Sequence, residues 1–229
     1  MKRKDYKSLI VGLLFFIGFV VWTLLIQTVD VQPVGQNGTD IGFATINCRF
    51  HEMTGVHMSI YTLTDWLGLV PIFICMVFGS IGLSQLIKRK SLFKVDSDII
   101  ILGIYYIIVI FGYLIFEMIP INYRPILIDG FLEASYPSST TLLVLSVMPT
   151  LYFQAKRRMK NETLKKCVCV FSVLFSVFMI AGRTLAGVHW LTDIIGSILL
   201  STGLFLLYKA FVQLFDELKK PDMESKNGV

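Results

Sequence analysis

The stretch CVCVFSVLFSVFMIAGRTLAGVHWLTDIIGSILLSTGLFLLY, residues 167–208, decides the fold. Two uncharged runs, 167–182 and 194–208, flank a short segment that carries Arg183, His189 and Asp193. Each run alone falls short of the roughly 20 residues that cross a hydrocarbon core, and reaches that length only if the charged segment lies at or just above a membrane boundary. Charge at such a depth is unfavourable, so three charge-bearing side chains there mark a working site more often than an anchor.

Working outward, four more uncharged runs precede this pair. The chain is 55% hydrophobic with a mean hydropathy of +0.69, far above a soluble globular composition. The expectation is an all-α polytopic membrane bundle of six helices, spanning about 8–29, 66–87, 99–120, 136–155, 167–183 and 190–211, in one integral membrane domain, 1–229. The first run follows basic residues as a signal peptide would, but it is longer than a signal core and no small-residue cleavage pattern follows. Four cysteines form neither a disulfide framework nor a zinc-type spacing, and no metal or cofactor is expected.

Orientation follows from the basic residues. Of 21 Lys and Arg, 18 fall before the first span, after the second, between the fourth and fifth, or after the sixth, leaving only Arg49, Arg124 and Arg183 on the other side. Short basic connections stay in the cytoplasm, so both termini are expected inside and the charged segment outside. The net charge of +5 reflects this asymmetry and suits anionic lipid headgroups, not nucleic acid. By analogy, compact size and basic tails suggest a multi-pass protein of a bacterial plasma membrane with its site on the outer face. The expected partners are the bilayer and a lipid substrate. Oligomeric state is not legible.

Three segments carry candidate chemistry. His189 and Asp193 are four apart and share a helix face, so a carboxylate can take the proton of one ring nitrogen and leave the other as a nucleophile. Arg183 lies six residues before His189, and Gly187 between them allows a break that folds the guanidinium back over the imidazole; a guanidinium grips a phosphoryl group along two directions at once. Upstream, Arg124-Pro125 stiffens a loop, and Pro137-Ser138-Ser139-Thr140-Thr141 opens a helix whose free amides and hydroxyls suit an anion. His51 and His57 read as surface loop histidines.

In order, Arg124-Pro125, Pro137-Ser138 and Arg183-x5-His189-x3-Asp193 resemble the three-part signature of the type 2 phosphatidic acid phosphatase family. The resemblance covers the second half of the chain by motif and the whole by its six-span layout. It implies a lipid phosphatase in which His189 attacks the phosphoryl group to form a phosphohistidine and Asp193 orients it. Arg124, Arg183 and Ser138, with Ser139 and Thr140 at the helix start, then hold the phosphate oxygens. Three positions depart from the pattern. Glu117 stands where the family has a lysine, Thr140 where it has the histidine that protonates the leaving group, and Gly182 where a serine precedes the arginine. A lipid alkoxide needs a proton to leave, roughly a 10²–10⁴-fold contribution, whereas the phosphate leaving a diphosphate needs it much less. The chain is therefore expected to favour a polyprenyl diphosphate, or to use Glu117 as the acid with its pKa raised. The alternatives are a lipid phosphotransferase and a non-catalytic lipid-phosphate binder or transporter.

Overall fold

The computed structural model describes the chain from residue 3 to residue 226, and its side chains from residue 6 to residue 218. Eight α-helices follow in order: α1 (Arg3–Ile26), α2 (Ala44–Thr54), α3 (Met58–Leu67), α4 (Leu69–Arg89), α5 (Ser97–Met118), α6 (Ser139–Arg158), α7 (Glu162–Leu185) and α8 (Leu191–Lys226). Among the described residues, five segments are long and apolar enough to cross a membrane: Tyr6–Ile26, Met58–Arg89, Ser97–Met118, Glu162–Leu185 and Leu191–Leu218. The second runs through α3 and α4, longer than the expected 66–87 because α3 continues it on the side where the site lies. The protein is an all-helical, multi-pass membrane protein.

The remaining expected span, 136–155, corresponds to α6, and composition alone does not qualify it as a membrane crossing. Packing explains why. α6 lies among α4, α5, α7 and α8, with Thr141, Ser146, Thr150 and Gln154 buried beside Val144, Val147 and Met148. A helix walled by other helices can carry polar groups provided they find partners. Here Tyr106 Oη meets Thr150 Oγ1 at 2.7 Å, Tyr105 Oη donates to the Ser146 carbonyl at 2.9 Å, and Gln154 Nε2 donates to Tyr208 Oη at 2.8 Å.

α1 packs antiparallel along α8. Gly12 lies against Leu206 and Leu207, and one end further on the Trp22 indole donates to the Thr192 carbonyl at 3.1 Å. The start of α1 and the later part of α8 therefore share one end of the bundle. At that end Arg158 pairs with Asp96 and Asp98, at 3.0 and 2.5 Å, and Arg157 with Asp216 at 2.7 Å, tying α5, α6 and α8 together. The opposite end is capped by α2, α3 and the loop between α5 and α6, and holds Arg124, Arg183, His189 and Asp193. Asn47, on α2, anchors the cap: its amide donates to the Thr192 hydroxyl at 3.0 Å.

Candidate active site

Arg124 and Ser135 are held by the hairpin-like loop between α5 and α6. The Arg124 N–H donates to the Glu133 carbonyl at 3.0 Å and the Ser135 N–H to that of Asn122 at 2.9 Å, and Ile128 and Phe131 bond each other across the tip. Asp129-Gly130 fills the tip with φ of 49° and 83°. Two consecutive left-handed residues match the twist of paired extended chain, and Asp-Gly is a pair that adopts them readily. The Gln36 side chain donates to the Pro125 carbonyl at 2.8 Å, fastening this loop to the one between α1 and α2.

His189 sits at the corner between α7 and α8. Gly187 in that corner takes φ 68°, and a Cβ there would lie 1.9 Å from the Gly55 carbonyl oxygen, so neither backbone nor space admits a side chain. The corner lets Arg183, in the last turn of α7, reach back so that Nη2 is 3.1 Å from His189 Nε2. The other ring nitrogen, Nδ1, is 3.1 Å from the Ser135 carbonyl. A carbonyl only accepts, which assigns the proton to Nδ1 and leaves the lone pair on Nε2, where Arg183 donates to it. Burial above all, then the positive charges of Arg124 and Arg183, hold the imidazole neutral, with its pKa well below 6.5 despite the Ser135 bond.

Asp193 is fully buried but does not hydrogen-bond His189: its Oδ2 lies 3.8 Å from Nδ1. That oxygen accepts the Trp190 N–H at 2.9 Å instead, the reach-back half of a capping box that opens α8. Asn122 Nδ2 lies 3.4 Å from Oδ1. The carboxylate expected to orient the imidazole is thus turned to the helix start, and a main-chain carbonyl takes the ring proton.

A cavity of about 210 Å³ opens beside His189, walled also by Arg124, Glu117, Glu133, Tyr113, Ser139 and residues 134–137. Glu133 Oε2 lies 3.1 Å from Arg124 Nε without hydrogen-bond alignment; Arg124 Nε and Nη1, and Arg183 Nε, are buried without hydrogen-bond partners. Buried guanidinium donors left free suit an oxyanion. Ser138 stands behind this wall, its hydroxyl shared with Thr141 Oγ1 at 3.0 Å and its carbonyl accepting from Ser197 at 3.0 Å. Thr140 faces a second, largely apolar cavity of about 550 Å³ between α4, α5 and α6, to which Tyr113 and Ser139 also belong. Among the expected site residues, His189, Arg124, Ser139 and Glu117 therefore share the first cavity, Arg183 joins through His189, and Asp193, Ser138 and Thr140 lie outside it. Glu133, Asn122, Tyr61 and the Ser135 carbonyl were not singled out in the sequence. A main-chain acceptor leaves no sequence signal, while Glu133 could have been flagged as a carboxylate beside the Arg-Pro loop.

Residues 99–216, just over half of the chain, match the model of the PAP2 superfamily. A solved structure described as the first transmembrane PAP2-type phosphatidylglycerolphosphate phosphatase, from Bacillus subtilis, superposes with a TM-score of 0.63 at 18% identity, covering 88% of this chain and 96% of that one. No curated protein matches significantly. The chain belongs to the PAP2 superfamily and shares the fold of that transmembrane phosphatase.

Proposed function

We propose that this protein removes a phosphoryl group from a lipid diphosphate through a phosphohistidine on His189, at a site open to the extracytoplasmic side of a bacterial plasma membrane. The observation that carries the reading is the unprotonated Nε2 of His189 at the wall of a cavity beside Arg124 and Arg183. The Nε2 lone pair forms the N–P bond as the P–O bond to the leaving group breaks. Arg183 moves from Nε2 to the phosphoryl oxygens and, with Arg124, balances their charge. Water then attacks phosphorus, the N–P bond breaks with its electrons returning to Nε2, and inorganic phosphate leaves. The adjoining apolar cavity, sharing Tyr113 and Ser139, suits the hydrocarbon chain.

A diphosphate is favoured because, among the described residues, no histidine besides His189 lines the cavity, and Thr140, at the motif position of the second histidine, lines the apolar one. A second reading rests on Glu117, which lines the phosphate cavity and would supply the proton for a monoester. Trapping of labelled phosphate on the wild-type protein, and its loss together with all turnover in His189→Ala, tests the nucleophile; full activity of that variant would remove it. For orientation, Phe131→Cys in a Cys48→Ser background should react with an impermeant thiol reagent on intact cells while Lys160→Cys does not. The reverse pattern would place the site in the cytoplasm.

A further inference from the structure

Both arginines of the site lie over the same aromatic ring. The guanidinium carbon of Arg183 is 5.0 Å from the centroid of Tyr61, and that of Arg124 is 5.8 Å from it. Tyr61 is on α3, one turn before Thr64 and Asp65. Thr64 Oγ1 lies 3.5 Å from Arg183 Nη1, and Asp65 Oδ1 3.8 Å from the same nitrogen. This face of α3 comes close because residue 182 is glycine: a Cβ there would stand 2.6 Å from Thr64 Cγ2.

A guanidinium that is to receive a phosphoryl group has to be held in place without using up the donors that will bind it. A carboxylate would fix the side chain but take those N–H groups and cancel the charge. An aromatic face attracts the cation through its quadrupole and leaves the in-plane donors free, and it does so more strongly where water is excluded. It also offsets the repulsion between two like charges brought to one site. Arg124 Nη1 and Arg183 Nε, buried and without hydrogen-bond partners, are the donors left free in this way, while Arg124 Nε faces the Glu133 carboxylate at 3.1 Å.

We infer that Tyr61 is a positioning residue of the phosphatase: its ring sets the two guanidiniums at the spacing that binds the phosphoryl group, and it acts through them without touching substrate. This deepens the reading of Arg124 and Arg183 as the phosphate clamp and rests on it. The test uses the purified full-length protein in detergent, with orthovanadate as the probe and phosphate release from a lipid diphosphate as the activity. Tyr61→Phe keeps the π face, so its vanadate inhibition constant and KM stay within about threefold of the original, whereas Tyr61→Leu weakens both by about tenfold. Phenylalanines carrying one, two or three ring fluorines, placed at position 61, keep nearly the same shape while draining the π face. The vanadate constant should rise stepwise along that series, which a merely steric role would not produce. An unchanged constant across the fluorinated series overturns the assignment even if Tyr61→Leu fails to fold. His189→Ala in the same assay separates the two levels: retained turnover there defeats the underlying mechanism, while lost turnover with a flat fluorine series defeats only the role of Tyr61.

Discussion

Ser135 and Asp193 compete, on paper, for the ring proton of His189, and distance decides between them: the carbonyl of Ser135 is at 3.1 Å and the carboxylate of Asp193 at 3.8 Å. Asp193 acts through the first turn of α8, by accepting the Trp190 N–H. Asp193→Asn is therefore expected to reduce kcat by about tenfold to a hundredfold, the range for losing a charged hydrogen-bond partner, but not to abolish turnover as His189→Ala does. Glu117 on the cavity wall makes the second prediction at this scale. If the substrate is a diphosphate, matched diphosphate lipids turn over much faster than monophosphates, and Glu117→Gln leaves that rate nearly unchanged. If Glu117 is the proton donor, Glu117→Gln removes monoester activity while sparing any diphosphate turnover. Equal rates on both lipids together with a silent Glu117→Gln would leave neither reading standing.

At the scale of elements, two short connections do more to build the site than the helices they join. The Asp129-Gly130 tip sets the register of the hairpin-like loop, and that register brings Arg124 and the Ser135 carbonyl to the same cavity. The Gly187 corner sets the angle between α7 and α8, and that angle brings Arg183 to His189. Gly187→Ala would meet both an unfavourable φ, a strain of about 1–3 kcal/mol, and the Gly55 carbonyl oxygen in the space of its Cβ. The expected outcome is a lower thermal midpoint and a loss of activity larger than that of Gly130→Ala, whose Cβ would meet open space. Thermal unfolding and phosphate release, measured on both variants, check this ordering.

At the scale of the whole molecule, burial of a neutral imidazole between two cations links stability to pH. The native His189 pKa lies well below 6.5, while an unfolded chain takes up the proton near 6.5. Stability from this group is thus fully present above about pH 6.5 and is lost as the pH falls below it, since only the unfolded state binds the proton there. The thermal midpoint in detergent should be flat at neutral and mildly alkaline pH and decline below about 6.5. His189→Asn should flatten the decline, leaving the smaller share due to half-buried His51, whose pKa burial also lowers. A midpoint that rises on acidification would contradict the burial of a neutral His189.

Apolar runs, their lengths and the segregation of Lys and Arg depend only on composition along the chain, because the bilayer acts on each segment by its hydropathy and each connection by its charge. The all-helical membrane class and the residues that resemble a phosphatase signature were legible for that reason. α6 was harder to read, since its polar face is tolerated only where the surrounding helices supply Tyr105, Tyr106 and Tyr208 as partners. The site itself needed the tertiary structure at its decisive points. Spacing of four residues brought Asp193 near His189 but could not say which way its carboxylate turns, and a main-chain carbonyl 54 positions away has no residue type to announce it. Nor could the sequence bring Tyr61 beneath two arginines 63 and 122 positions further on, for a contact between distant segments is set by how helices pack, and packing is a property of the assembled chain.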